Sequence, residues 1–206
     1  MPNSISHYED ELRAAGFLAI AGVDEAGRGA LAGPLVVAAV VLPNDVNISG
    51  LTDSKMLSAK QRTKLRKEID ESALSISIVE VSAAEIDAIG IAQADIQGMR
   101  RALARLTMVP DFVITDGFAV DGIDRPNLAM KKGDQLCASV SAASIVAKTH
   151  RDDLMVALSD SYPQYGLAVH KGYGTSQHIA ALREYGNSEI HRNTFIWDKS
   201  ASLEAS

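Results

Sequence analysis

The sequence predicts an α/β fold in which helices pack on a mixed β-sheet. Three observations carry this expectation. β-Rich segments dominate up to residue 81, a further short strand follows only after a helical stretch, and a long helical pattern fills much of the second half. Strands in succession followed by alternating helix and strand give a mixed sheet covered by helices.

The elements follow in order. Phe17 to Val23, FLAIAGV, reads as a buried strand. Val36 to Leu42, VVAAVVL, is β-branched and bounded by Pro34 and Pro43, which marks a second strand. Ser58-Ala-Lys-Gln61 has the form of a capping box and opens a helix to about residue 72. Ser75 to Val81, SISIVEV, alternates strictly and predicts a half-buried strand. Ile96, Met99, Leu103 and Leu106 step by three and four along an amphipathic helix. Phe112 to Thr115, FVIT, is a short apolar strand that stops at Asp116-Gly117. Leu136, Val140, Ala143, Ala147, Leu154 and Leu158 trace one face of a long helix, and a last helix follows Thr175.

Composition bounds the function. A chain of 206 residues favours one domain, with a core of ordinary size from 47% hydrophobic residues. A formal charge of -6 gives no overall attraction to nucleic acid or anionic lipid. The charge is uneven, however: residues 54 to 67, SKMLSAKQRTKLRK, hold six Lys or Arg and no acid. Such a run is most often a solvated helix face, but it can also track a nucleic-acid backbone. The single cysteine, Cys137, can form no internal disulfide, which fits a reducing cytoplasm. The start, MPNSISHYEDELRAAG, has no apolar stretch of the signal-peptide kind, and Val36 to Leu42 is too short to span a bilayer. The expected organisation is an N-terminal segment (1–16), one folded domain (17–197) and a disordered polar tail (198–206).

The stretch GVDEAGRGALAGP at 22–34 raises the central question. Its glycines, Gly27, Gly29 and Gly33, have the look of a dinucleotide-binding turn, but that turn needs a helix directly after it. Here Pro34 and a β-branched run follow, so the segment is a hairpin and no nucleotide cofactor is expected. The acids are more informative. Asp24 and Glu25 end the first strand, Asp116 ends the fourth, and Asp134 precedes the long helix. Each has a plain alternative: Asp134 as a helix N-cap, Asp116-Gly117 as a turn. Adjacent acids on a strand face opposite ways, so Asp24 and Glu25 converge only if the chain bends, and Gly27 offers a place for it. Four convergent carboxylates would repel one another without a cation, and oxygen-only ligands suit Mg²⁺ or Mn²⁺ rather than zinc. His150, His170, His178 and His191 fit no zinc spacing.

The ordered set GVDEAGRGALAGP, DSK at 53–55, TDG at 115–117, KKGD at 131–134, SAASIVAKTHRD at 141–152 and HKGYGT at 170–175 closely resembles that of the bacterial ribonuclease HII family, over about residues 17 to 197. The resemblance implies a ribonuclease H-like fold: a five-stranded mixed sheet flanked by helices, with a C-terminal helical extension. It implies catalytic and metal-binding roles for Asp24, Glu25, Asp116 and Asp134. It implies nucleic-acid contacts from Gly27, Arg28 and Gly29 and from a junction-sensing Tyr173, with Ser54, Lys55, Ser141 and Lys148 near the bound strand. Ala30, Phe118 and Gln135-Leu136-Cys137 depart from the usual pattern without replacing a carboxylate.

The activity so implied is hydrolysis on the 5′ side of ribonucleotides, in RNA/DNA hybrids and in duplex DNA carrying single ribonucleotides, by a monomeric, cytoplasmic enzyme. Two divalent ions, Mg²⁺ or Mn²⁺, would clamp an in-line displacement and leave 5′-phosphate and 3′-hydroxyl ends. The acids at the loop mouth would then bind phosphate through metal. The glycines would bring backbone close to the 2′-hydroxyl that distinguishes RNA from DNA. Lys131, Lys132, Lys148, Arg151 and Lys171 join the basic run as a candidate backbone track. Two other readings compete: a silent nucleic-acid-binding relative, which need not hold metal, and a DNA nuclease on the same fold, which would not require a ribonucleotide.

Overall fold

The computed structural model describes residues 5–46 and 48–197. The polar tail expected to be disordered, 198–206, lies outside the described residues. Five strands form one sheet: β1 Ile20–Ala26, β2 Leu35–Val41, β3 Ser75–Val81, β4 Phe112–Asp116 and β5 Asn127–Met130. Their order is β3-β2-β1-β4-β5. β1 is antiparallel to β2 and β2 to β3, whereas β4 runs parallel to β1 and β5 parallel to β4. The mixed sheet is as expected, and it places the carboxyl ends of β1 and β4 side by side at its centre.

Eight helices surround it among the described residues: α1 His7–Ala14, α2 Ala59–Ser72, α3 Ala83–Ile89, α4 Ile91–Ala104, α5 Gly133–Leu136, α6 Ala138–Ser161, α7 Leu167–His170 and α8 Ser176–Tyr185. The period-2 alternation of strands sorts them onto two faces. Val23, Val37, Ala39 and Val79 pack with Ile86 of α3 and Met99 of α4. Ala26, Val36, Ala38 and Val40 pack on the other face with Leu65 and Ile69 of α2 and with Ala142, Ile145 and Val146 of α6. Every residue of β2 is buried, because helices cover both faces of this strand.

Local signals act as the sequence indicates. Ser58 and Gln61 form the reciprocal capping box that opens α2, and the Thr175 hydroxyl accepts the His178 N–H at the start of α8. The first strand differs from the expectation. It begins at Ile20, not Phe17, and continues through Ala26. Phe17 instead turns inward to meet Phe112 edge-on, with ring centroids 5.0 Å apart. Leu106 lies beyond the end of α4. The long helix is broken before it begins, since Cys137 is extended (φ -129, ψ 129) and leaves Leu136 in the separate turn α5.

α6 is tied to the N-terminal segment. Glu9 of α1 is 1% exposed, and its two oxygens accept the backbone N–H groups of Ala138 (3.0 Å) and Ser139 (2.8 Å). A carboxylate at a helix N-terminus satisfies orphan donors and complements the helix dipole. Glu9→Ala should cost about 1–3 kcal/mol, seen as a melting midpoint lowered by about 2–4 °C per kcal/mol. An unchanged midpoint would show that α1 adds nothing to the fold.

Candidate active site

The carboxyl ends of β1 and β4 bring the acids together. Asp24 and Asp116 lie on the sheet face that α6 covers, and Asp134 sits in the α5 turn just before that helix. One carboxylate oxygen from each can be chosen so that all lie within 4.8 Å of one another. No other cluster of this kind occurs among the described residues. Backbone donors fix two of the three. Asp24 Oδ1 accepts the Glu25 N–H at 2.7 Å, and Asp116 Oδ1 accepts the Gly133 N–H at 2.7 Å. Asp134 is not an N-cap: Lys132, in the left-handed conformation (φ 61), precedes the turn, and Cys137 precedes α6.

Glu25 is placed differently. Strand alternation turns it toward the α4 face, where Asp95 lies fully buried. The bend expected near Gly27 does not draw it into the tight cluster. Glu25 nevertheless lines the cleft beside that cluster, and its Oε2 is buried with no hydrogen-bond partner.

Electrostatics show the strain of this arrangement. Burial raises Asp24 well above the usual carboxylate range, and the charges of Glu25 and Asp116 add to it. Burial, then Asp95, pushes Glu25 to about 8 against the pull of Arg28. Burial, then Asp116 and Asp53, lifts Asp134 to about 6. Partial burial alone would lower Lys55, but Asp53, Asp24, Asp134 and Glu25 outweigh it and hold the ammonium above its ordinary range. Convergent oxygen donors, an orphaned buried oxygen and carboxylates that resist ionisation together fit a hard divalent cation.

A cleft of about 370 Å³ opens next to the acids, lined by Glu25, Gly27, Arg28, Gly29, Ser54, Lys55, Ser144, Lys148 and Tyr173. Gly27 has φ +89, and a Cβ there would overlap the Arg151 guanidinium. Gly29 is different, because a Cβ on it would meet nothing within 4 Å. Its missing side chain leaves room in the cleft itself. Arg28 pairs toward α4: its Nε lies 3.0 Å from Asp95 Oδ2 and its guanidinium lies over the Phe118 ring at 5.4 Å. The pair is close but poorly aligned, since neither Asp95 oxygen has a well-directed donor. Phe118, one of the departures from the family pattern, thus packs against the glycine loop. Tyr173 is about one-third exposed, with Lys148 and Arg151 5.8 and 5.2 Å from its ring centre.

Two expectations need correction. Ser141 is fully buried and donates to the Thr52 carbonyl at 3.0 Å, so it does not face the cleft. Ser144, one helical turn on, does, and its hydroxyl lies 3.0 Å from that of Ser54. Arg151 is no backbone track: it is fully buried and donates to the carbonyls of Pro34 (3.0 Å), Lys171 (2.9 Å) and Ala32 (3.0 Å). The basic run is mainly the solvated helix face that such a run most often is, with Lys64 and Lys67 78% and 77% exposed. Arg62 braces the Ser54–Met56 turn through the Ser54 and Leu57 carbonyls, Arg66 pairs with Asp70, and Lys64 and Lys67 pair with Glu68 and Glu71. Sequence reasoning also missed Asp53, Ser144, Asp95 and Arg192. Asp53 and Ser144 stand inside or beside quoted motifs; nothing local marks the other two.

An acidic crevice at the carboxyl ends of neighbouring parallel strands, in a sheet of this order, defines the class: a ribonuclease H-like, metal-dependent nuclease. The family profile described as Ribonuclease HII matches residues 21–197, and the chain belongs to that family. It is 50% identical over 190 residues to Ribonuclease HII of Cutibacterium acnes, covering 91% of this chain and 93% of that protein. It is 49% identical to Ribonuclease HII of Salinispora arenicola, covering 91% of this chain and 71% of that one. The crystal structure of ribonuclease H2 from Pyrococcus horikoshii superposes with a TM-score of 0.76 at 28% identity, covering 90% of this chain and 98% of that one. The chain is accordingly a metal-dependent endoribonuclease that acts on RNA/DNA hybrids. No helix among the described residues is long and apolar enough to cross a membrane.

Proposed function

We propose that this endoribonuclease hydrolyses the phosphodiester on the 5′ side of ribonucleotides, both in hybrids and at single ribonucleotides in duplex DNA, leaving 5′-phosphate and 3′-hydroxyl ends. One observation carries the reading: the cleft lined by Glu25, Lys55, the Gly27–Gly29 loop and Tyr173 borders the Asp24–Asp116–Asp134 cluster, with the charges of Asp24 and Asp134 acting on Lys55 at its edge. The acid cluster and the open approach at Gly29 thus lie side by side.

In this reading Asp24, Asp116 and Asp134 hold divalent metal, Mg²⁺ or Mn²⁺, and Glu25 completes the set with its orphaned oxygen. Two such ions supply the positive charge that lets an acidic pocket accept phosphate and the acidity that activates water. The other groups act on the substrate. Gly29 admits the sugar because it has no Cβ, which lets backbone groups meet the 2′-hydroxyl. Lys55 and Lys148, at the cleft edge, attract the backbone as positive charges. Lys148 is oriented by Asp152 at 2.6 Å. Tyr173 stacks on the sugar that follows the ribonucleotide, which sets a preference for RNA-to-DNA junctions.

The test is cleavage of a labelled DNA duplex holding one ribonucleotide, against an all-DNA control, with Mg²⁺, Mn²⁺ or chelator. The expected result is a metal-dependent nick 5′ of the ribonucleotide and none in the control. Nicking of the control would favour a DNA nuclease; binding without cleavage under any metal would favour a silent binder. Tyr173→Ala should weaken single-ribonucleotide cleavage by about tenfold more than hybrid cleavage, since stacking on an aromatic ring contributes about 1–3 kcal/mol. Equal losses on the two substrates would remove the junction-sensing role.

A further inference from the structure

We propose that His191 and Arg192 are positioning residues that set the separation between the Gly27–Gly29 loop and Tyr173, and thereby the enzyme's discrimination of single ribonucleotides from continuous RNA. The inference rests on the reading of Tyr173 as the junction sensor.

These neighbours stand near the end of the described chain, where His191 bridges to Ala32 in antiparallel fashion. Both are buried, at 2% and 1% exposure. They reach the two sides of the cleft separately. Arg192 serves the glycine side: its Nη1 donates to the Arg28 carbonyl at 2.9 Å, and Nε and Nη2 donate to the Gly33 carbonyl at 3.2 and 3.0 Å. His191 serves the tyrosine side through a second histidine. Its Nε2 lies 3.1 Å from His178 Nε2, and His178 Nδ1 lies 3.1 Å from the Tyr173 carbonyl.

The direction of this chain follows from chemistry. A carbonyl only accepts, so His178 carries its proton on Nδ1 and accepts at Nε2. His191 must then donate from Nε2 and accept at Nδ1, where the Ser188 N–H (3.0 Å) and hydroxyl (2.8 Å) both point. Each ring is neutral in one tautomer, and every hydrogen bond runs from Ser188 toward Tyr173. A proton added to either ring would set two N–H groups face to face. Burial agrees with this: it lowers His178, and together with His178 it lowers His191 to about 4. His170 stacks on His178 with centroids 4.5 Å apart, donates from Nε2 to the Tyr165 carbonyl (2.7 Å) and accepts the Gly172 N–H (3.3 Å). The segment before Tyr173 is thereby held from the same layer. None of these rings touches the acid cluster, so their loss should move substrate choice more than metal-dependent chemistry.

The experiment compares kcat/KM on the single-ribonucleotide duplex and on the hybrid for wild type, His191→Leu, His191→Gln, Tyr173→Ala and the double variant Tyr173→Ala/His191→Leu. His191→Leu should lower the single-ribonucleotide value about tenfold more than the hybrid value, as loss of a positioning hydrogen bond permits. His191→Gln, which keeps a donor at the same reach, should restore the wild-type ratio. In the Tyr173→Ala background His191→Leu should change the ratio no further. If Tyr173→Ala shifts the ratio and His191→Leu does not, the positioning role alone is overturned. If Tyr173→Ala shifts nothing, the junction-sensing reading falls and takes this one with it. Should His191→Leu not fold, ring ¹⁵N NMR of the wild-type protein decides. Protonated Nδ1 on His178 with protonated Nε2 on His191 at pH 7 is the expected pattern; the reverse tautomers or a charged ring would overturn it.

Discussion

Asp24→Asn abolishes cleavage and stabilises the metal-free protein. The two effects have one cause. Asp24 is 5% exposed, and burial together with the charges of Glu25 and Asp116 resists its ionisation. Asparagine keeps the shape and removes the charge. In chelator this relieves repulsion, so the melting midpoint rises. With metal the site lacks a central ligand, and the rate falls by about 10³-fold or more, the equivalent of several kcal/mol of lost transition-state stabilisation. Full activity in this variant would sink the metal-site assignment.

The pH dependence follows with its sign. Glu25 keeps its proton in the fold up to about 8 and Asp134 up to about 6, whereas in the unfolded chain both ionise near their ordinary values. The unfolded state therefore binds fewer protons, and these groups make stability fall as pH rises toward 8. The depressed histidines act in the opposite sense, since His191 titrates at about 4 in the fold, and their effect is complete above the ordinary histidine range. Between about pH 6.5 and 8 the carboxylates that still titrate therefore include Glu25, at about 8, and Asp95, which burial pushes to about 7. In chelator the wild-type midpoint should fall across this window, and Asp24→Asn should flatten the slope. Mg²⁺ should raise the wild-type midpoint more at pH 8 than at pH 6.5, because ligands must lose their protons to bind. An equal rise at both values would separate metal binding from these carboxylates.

What the sequence revealed followed physical locality. The capping box at Ser58, the alternation in Ser75–Val81 and the apolar run of β2 are local signals, and their elements stand where expected. β1 was displaced by three residues because hydrophobicity stops at Val23 but pairing does not: Glu25 and Ala26 still oppose Val37 and Val36. β5, NLAM, went unread because its first two residues are exposed and four residues carry no period. In the site, three carboxylates could be read as a cluster because each closes a strand or opens a helix at one end of the sheet. Glu25 could not be placed, since only the packing of α4 shows which face it takes. The buried arginines were invisible for a related reason. Arg151 and Arg192 look like surface charge in a string of letters, and only the fold shows the carbonyls they hold.

Arg151→Leu should be the most destabilising single change near the site. Its guanidinium is fully buried and satisfies three carbonyls, Ala32, Pro34 and Lys171, that join the glycine loop to the HKGYGT segment. Leucine fills part of the space but leaves those acceptors unpaired, at about 1–3 kcal/mol each before the loop relaxes. A net loss of about 3–5 kcal/mol is expected, or about 10 °C in melting midpoint. Gly27→Ala is destabilising by two separate routes: φ +89 disfavours any side chain, and the new methyl would strike the same guanidinium. Only the second route depends on Arg151. In the Arg151→Leu background, Gly27→Ala should therefore cost less than it does in wild type, and a double-mutant cycle measured by denaturant unfolding reads the difference. Strict additivity would mean that the loop yields freely and that Arg151 does not fix Gly27. Coupling would place the backbone that faces the ribose under the control of a buried charge on α6, the helix that also covers the face bearing Asp24 and Asp116.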